Sequence, residues 1–416
     1  MANEGNDSLE QTHAIELCAD LQIRIVGVTG GAGTGKTRTL GKAFAEVRRQ
    51  VGRDKVALCA PTGRAAKRIQ ELTGIPAKTV HRLLEFPTPE DHEEARIEGE
   101  PPPENKPKRN RQFPLKERVV FVDEASMLGP TLYQQLMEAL PTNGCIRFFG
   151  DNNQLPPVES DGESESPFLK VLNRPDGNVT LTHNYRSDDF IVSNALRILE
   201  GRVPIQNERF RIIYDDNPIK RLIHFATKDF MDMDHQIIMP TRRGKYGTIR
   251  VNPSLQVKWN GRGPCLLLER HDDGGKEPQA DLAVRGQDKF LWTKNDYQLN
   301  LFNGEIGQIE WVNDEDGSIG LLTPDRSLVV PPSVRAYSPY HGHAISYDPR
   351  KSIELGYAIT THKSQGSEFK TIIYCITGGQ SWLLNRKNFY TAVTRAKHMV
   401  VLICDRSGMF RSLKKY

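Results

Sequence analysis

Short, continuous apolar runs recur along the chain with helical stretches between them: "IRIVGV" (23 to 28), "KVALCA" (55 to 60), "RVVFVD" (118 to 123), "CIRFFG" (145 to 150) and "NVTLTH" (178 to 183). Runs that are apolar at successive positions, rather than at every second one, belong to parallel strands covered by helices on both faces. A second set repeats the pattern: "QIIMP" (236 to 240), "GYAITTH" (356 to 362), "TIIYCIT" (371 to 377) and "HMVVLIC" (398 to 404). The chain is therefore expected to be α/β, with two parallel sheets, the second smaller. Two stretches break the scheme. Residues 86–114 are rich in Pro and charge with almost no apolar side chains, so they cannot bury a core and form a protruding insertion or linker. Residues 245–350 carry Gly-rich turns and short strand-like segments around Asn303-Gly304, a favourable tight-turn dipeptide, which predicts a small β-barrel.

Composition narrows the picture only a little. The 416 residues are 38% hydrophobic and 26% charged, ordinary for a globular protein, and 56 Lys and Arg against 52 Asp and Glu give a net charge of +4, compatible with a polyanionic partner without requiring one. Six cysteines are scattered without a CxxC pair, which suggests a reducing compartment and no zinc site. Cys59, Cys375 and Cys404 lie in apolar runs as small core residues do. No window approaches the roughly 18 apolar residues of a membrane span, and the N-terminus lacks a cationic start and apolar core. The expected location is the cytoplasm of a bacterial or phage-infected cell, with no membrane partner.

The strongest chemistry follows the first strand. "GVTGGAGTGKTRTL" matches G-x-x-x-x-G-K-[ST] and lies between an apolar strand and a helix. In such a loop Gly31, Ala32, Gly33, Thr34 and Gly35 offer backbone N–H groups to a phosphate chain, Lys36 reaches the outer phosphates, and the Thr37 hydroxyl can ligate Mg²⁺. A strand ending in Asp123-Glu124 places one carboxylate to hold Mg²⁺ and the next to polarise a water, although Asp-Glu is also a common helix start. Another strand leads into "GDNNQLPPV", where the neutral amide of Gln154 can sense a γ-phosphate without discharging it; the plain alternative is a polar turn. The second sheet has no phosphate loop, but Arg186 and Arg395 stand at element edges, and an arginine delivered to a transferring phosphoryl group is worth about 10³ to 10⁵ in rate.

Taken in order, "GGAGTGKT", "APTGRAAKRI", "KTVHRLL", "FVDEASML", "GDNNQLPPV", "LTHNYRS", "IIMPTRRGKYG", "FNGEIGQI", "YAITTHKSQGSEF" and "YTAVTRAK" resemble the RecD-like branch of the superfamily 1 DNA helicases, in the short form that includes phage helicases. The resemblance runs from about residue 11 to 405. It implies two RecA-like domains, 1–85 with 115–187 and 188–244 with 351–416, a pin over 86–114 that splits the duplex, and an SH3-like β-barrel over 245–350. It implies an ATP- and Mg²⁺-dependent motor moving 5′ to 3′ on single-stranded DNA and unwinding forked duplex. Gln11 lies where the family has an adenine-contacting glutamine, and Gly366 and Glu368 where it approaches the ribose or phosphates. Thr62, Arg64, His81, Thr241, Thr360 and His362 fall in its DNA-contacting segments.

One departure stands out: the middle of the pin, "GEPPPENKPKRN", is polar and Pro-rich, with Phe86 and Phe113 only at its base. A translocase that displaces bound proteins with little unwinding, an ATP-gated single-strand-binding switch and an RNA helicase therefore stay open as alternatives. A monomer is expected, with a single-strand-binding protein or replisome component as further partner.

Overall fold

The computed structural model describes residues 7–87, 106–157, 166–185, 190–226, 232–269, 281–296, 298–338, 343–380 and 383–414. The chain divides into two units, Met1–Val192 and Ser193–Tyr416. The division falls inside a helix, Phe190–Leu199.

The first unit is built on a six-stranded parallel sheet: β1 (Ile25–Gly30), β2 (Val56–Ala60), β3 (Lys78–Thr79), β4 (Val119–Val122), β5 (Cys145–Gly150) and β6 (Asn178–Leu181), in the order β3-β2-β4-β5-β1-β6. Successive residues of a strand face opposite sides, so the apolar runs feed two cores. Phe121 and Phe149 pack with Val28 on the side of α1 (Leu9–Ala19) and α2 (Lys36–Val51), whereas Val120, Val122 and Phe148 pack with Leu136 and Phe168 on the other. Helices α3 (Gly63–Thr73), α4 (Val80–Leu83), α5 (Pro130–Ala139) and α6 (Pro167–Leu172) complete the cover. Arg147, on β5 and fully buried, donates to the carbonyls of Cys18, Asp20 and Ile23 at 2.8, 2.9 and 2.8 Å. It thereby closes the C-terminal end of α1 onto the sheet, where unpaired helix carbonyls attract a cation.

The second unit continues that helix as α7 (Phe190–Leu199) and holds a five-stranded parallel sheet of β7 (Phe210–Tyr214), β8 (His235–Met239), β18 (Ala358–Thr360), β19 (Phe369–Ile376) and β20 (Ala396–Cys404), ordered β18-β8-β19-β20-β7. Helices α8 (Pro218–Phe225) and α9 (Thr248–Asn260) cover one face through Leu222, Val251, Leu255 and Trp259 against Ile237, Met239 and Ile373; α10 (Arg386–Val393) and α11 (Arg406–Ser412) are further α-helices among the described residues. Residues 248–260, expected inside the β insertion, are thus a helix of the second parallel sheet. The antiparallel strands begin only at β9 (Leu266–Leu268), paired with β10 (Leu282–Val284).

The main antiparallel sheet joins β11 (Lys289–Trp292), β12 (Ile306–Val312), β13 (Ile319–Leu322), β14 (Ser327–Val330) and β17 (Ile353–Leu355) in the order β14-β13-β12-β11-β17, so it ends beyond residue 350. A separate hairpin pairs β15 (Val334–Ser338) with β16 (His343–Tyr347). The expected Asn303-Gly304 turn is present: Glu305 N–H donates to Phe302 O at 2.9 Å and Gly304 takes φ +91°. A buried carboxylate, Asp288, joins this sheet to the second unit's core by accepting from Tyr357 Oη (2.5 Å), Gln256 Nε2 (2.6 Å) and Asn260 Nδ2 (2.7 Å).

Residues 88–105, most of the expected pin, lie outside the described residues. Its base is tied to α4: Arg109 N–H donates to Leu84 O at 3.1 Å, and the Arg109 guanidinium pairs with Glu85 at 2.7 Å. Phe86 packs on the core, and Phe113 is 64% exposed.

Candidate nucleotide and nucleic-acid sites

In open α/β sheets ligands gather at the carboxyl ends of the strands. In the first unit β1, β4 and β5 are neighbours there, and each delivers one part of the predicted phosphate chemistry. Residues 31–35 wrap from β1 into α2, and Gly33 and Gly35 take φ +82° and +78°, left-handed values that glycine adopts without strain. Gly35 opens α2 with no side-chain cap, the kind of helix start at which first-turn N–H groups can meet an anion. Lys36 Nζ donates to Gly30 O and Gly31 O at 2.7 and 2.8 Å, and Thr34 Oγ1 donates to Gly31 O at 2.9 Å. Thr37 follows Lys36 in the first turn of α2.

Asp123 leaves β4 with its N–H on Cys59 O at 2.9 Å. Burial, together with the adjacent Glu124 carboxylate, pushes its carboxyl up to about 7. Glu124 adopts φ +50°, unusual for a residue with a side chain, and its Oε2 is buried without a hydrogen-bond partner. Gln154, after β5, is 5% exposed; its Nε2 donates to Asp151 Oδ2 at 3.4 Å and its Oε1 has no partner. Buried polar atoms normally find partners, and unpaired ones mark strain or a site meant for a ligand. A carboxylate oxygen and an amide oxygen left without partners after adjacent strands suit a cation and a polarised water.

Gln11 is 1% exposed, and its carboxamide is engaged inside the unit by Ser8, Thr34 and Tyr185. Arg186 lies outside the described residues. Of the predicted DNA-contacting residues in this unit, Thr62 caps α3, its hydroxyl accepting from Ala65 N at 3.2 Å, and Arg64 follows in the first turn of that helix. His81 is exposed on α4 with its ring 5.0 Å from that of Phe86.

In the second unit Thr360 ends β18, and the turn after it carries His362, Gly366 and Glu368. Lys363 N–H donates to Thr360 Oγ1 at 3.3 Å. Burial lowers the pKa of His362, favouring a neutral ring at pH 7, and Gly366 takes φ +73° with open space where a Cβ would stand. Glu368 pairs with Lys397 at 3.5 Å. Thr241, after neighbouring β8, is 6% exposed; its hydroxyl donates to Tyr246 O at 3.4 Å and accepts from Gln380 Nε2 at 3.1 Å.

Arg395 stands between α10 and β20, 4% exposed, its guanidinium donating to Thr391 O (3.1 Å), Ser367 O (3.3 Å) and Thr394 Oγ1 (3.2 Å). Two further contacts in this unit involve Asn388 and Lys363, which sequence patterns did not single out. Asn388 accepts from Thr361 Oγ1 at 2.7 Å and Tyr374 Oη at 2.8 Å, and the Lys363 ammonium reaches Asn303 in the turn of the antiparallel sheet.

Two family models match the chain: an AAA domain over residues 11–160 and a UvrD-like helicase C-terminal domain over 355–403. The ATP-dependent RecD2 DNA helicase of Deinococcus radiodurans is 30% identical over 90% of this chain, which spans 46% of that protein's length. The RecD subunit of the RecBCD enzyme of Mycolicibacterium smegmatis is 27% identical over 90% of this chain and 67% of its own.

Among solved structures, one of Pif1 helicase, on DNA unwinding at forked duplex DNA by two coordinating copies, matches with TM-score 0.61 and 18% identity over 98% of this chain and 94% of its own. A Bacteroides Pif1 helicase in complex with ADP-AlF3 and single-stranded DNA matches with TM-score 0.59 and 17% identity over 99% and 95%. These two likenesses are of fold. The relatives found by sequence, with the matched AAA domain and UvrD-like helicase C-terminal domain, show that the chain has RecD-like helicase homologues.

Proposed function

We propose that the chain is an ATP-dependent DNA helicase that moves 5′ to 3′ on single-stranded DNA and unwinds forked duplex. The observation that carries this reading is the arrangement at one end of the first sheet. An uncapped, glycine-rich helix start lies near a half-buried Asp-Glu pair, and Glu124 Oε2 and Gln154 Oε1 have no partner there. Lys36 and the backbone of residues 31–35 hold the triphosphate, Glu124 and Gln154 orient the attacking water, and Arg186 and Arg395 stabilise charge on the transferring phosphoryl group. The Thr37 hydroxyl and the Asp123 carboxylate are the groups that would hold Mg²⁺, which neutralises phosphate charge; the half-buried, mutually repelling Asp123 and Glu124 favour such a cation. Thr62, Arg64, His81, Thr241, Thr360 and His362 supply contacts to the DNA strand, mainly to its backbone, so little sequence preference is expected. The RecD2 relative is named an ATP-dependent DNA helicase, which supports the substrate assignment.

The test is ATP hydrolysis with and without single-stranded DNA, followed by strand displacement on forks carrying a 5′ or a 3′ tail. DNA-stimulated hydrolysis and displacement from 5′ tails are expected. Hydrolysis indifferent to DNA would remove the motor, and displacement from 3′ tails alone would reverse the polarity.

A further inference from the structure

We propose that Gln11 is a positioning residue for the phosphate loop and takes no part in choosing the base, so that through Gln11 this site recognises the triphosphate chain that all nucleoside triphosphates share. The inference rests on the nucleotide-binding reading above and deepens it.

The hydrogen-bond valences of the carboxamide carry the argument. Nε2 donates to Thr34 O at 3.3 Å, and Oε1 accepts from Ser8 N at 3.3 Å and Tyr185 Oη at 2.5 Å. The amide cannot be turned over, because a carbonyl oxygen can only accept and a backbone N–H can only donate. Reading the edge of adenine takes a donor and an acceptor from the same glutamine. Here Oε1 already accepts from Tyr185 Oη and shares the Ser8 N–H with that hydroxyl, and the residue is 1% exposed. Gln11 would have to abandon the start of α1 or the tyrosine to read a base.

The neighbours show what the arrangement does instead. Asn184 Nδ2 donates to Ala32 O at 3.3 Å, Tyr185 N–H to Gly33 O at 3.0 Å, and Gln11 to Thr34 O, so three consecutive loop carbonyls are held from outside the loop. Drawing successive carbonyls to one side leaves their N–H partners for the other, the arrangement that makes a backbone concavity for anions. The contact is close: a Cβ on Gly35 would collide with Gln11 Nε2 and lie 3.4 Å from the Tyr185 ring. Ser8 N–H donates to Tyr185 Oη at 3.0 Å, which completes the clamp and joins α1 to the segment after β6.

The test compares dissociation constants of ATP, GTP and inorganic triphosphate, by competition against a fluorescent nucleotide, for the wild type, Gln11→Ala and Tyr185→Phe. Both variants should weaken all three ligands by one common factor of about 3 to 10, the range for losing one net hydrogen bond. In Tyr185→Phe, which loses only a hydroxyl, KM for ATP should rise with kcat within about twofold and the unfolding midpoint unchanged. A loss confined to ATP, or no loss for any ligand, would overturn the proposal, as would a weakening in Tyr185→Phe accounted for by lost folded protein. A wild type that binds none of the three ligands would instead overturn the nucleotide site itself.

Discussion

The two units contain the same passage, a buried parallel strand, a glycine-containing loop and a covering helix, and use it in opposite ways. In the first, β1 runs through residues 31–35 into α2, and the helix begins at Gly35 without a side-chain cap. In the second, β8 runs through "PTRRGKYG" into α9, and the loop is closed on itself. Thr248 N–H donates to Thr241 O and Ile249 N–H to Arg242 O, both at 3.1 Å, so helix-start donors that could meet a phosphate are already satisfied. Gln380 Nε2 staples the closure, donating to Thr241 Oγ1 at 3.1 Å and Tyr246 O at 3.0 Å. A fold of this kind therefore does not by itself make a nucleotide site. What decides is whether the loop's backbone donors are spent on the protein or kept for a ligand.

The largest effect that tests this contrast is Lys36→Ala, which should reduce ATP hydrolysis at least about 100-fold, because nothing else in the loop supplies a mobile cation to the phosphates. Arg395→Ala comes next: nucleotide binding persists, and kcat falls by about 10³-fold if the guanidinium serves the transferring phosphoryl group. Single-turnover hydrolysis measured beside equilibrium binding separates the two steps, and Arg395→Lys, which keeps the charge but not the fork that donates to Thr391, Ser367 and Thr394, should also be impaired. Gln380→Ala strikes the closed loop. It should leave the dissociation constant for ATP unchanged while costing about 1 to 3 kcal/mol of stability, since buried groups lose their partner. Denaturant titration checks the second part.

A further effect is expected in stability against pH. The Asp123 carboxyl is held at about 7 in the nucleotide-free fold, above its ordinary value of 3.8. Between those two values the folded chain binds the proton that the unfolded chain has released, so ionising Asp123 lowers stability progressively as pH rises from about 4 to 7. Below that window the two states are equally protonated at this group and the penalty vanishes. Asp123→Asn should accordingly raise the unfolding midpoint of the nucleotide-free protein at pH 8, with the advantage shrinking towards pH 4, while abolishing hydrolysis. A midpoint lowered at pH 8 would show that the carboxylate is stabilised in the fold and is not waiting for a cation.

Much of this contrast was legible in the chain. Unbroken apolar runs mark parallel strands because both of their faces are covered, and the phosphate loop is legible because its glycines and lysine answer to local geometry. Less accessible were features that depend on distant partners. β7 (Phe210–Tyr214) is an edge strand with exposed residues, so its apolar pattern is diluted. Helix α9 is hard to read in the sequence because Pro253 lies inside it and three of its buried positions, Thr248, Asn252 and Gln256, are polar. Asn252, for one, donates to Leu355 O and Ala358 O at 2.6 and 3.0 Å, a role visible only once β17 and β18 are in place. Arg147 and Asp288 are likewise charged residues whose burial follows from carbonyls and amides far away in sequence. The segment "LTHNYRS" drew attention for Arg186 alone, yet Asn184 and Tyr185 hold the phosphate loop.

The account turns on one open loop and one closed one. The most direct measurement is calorimetric titration of the full chain with a slowly hydrolysed ATP analogue, for the wild type and Lys36→Ala. One site per chain, lost in the variant, is the predicted result. Two sites per chain, or a site that survives removal of the Lys36 ammonium with undiminished affinity, would contradict it.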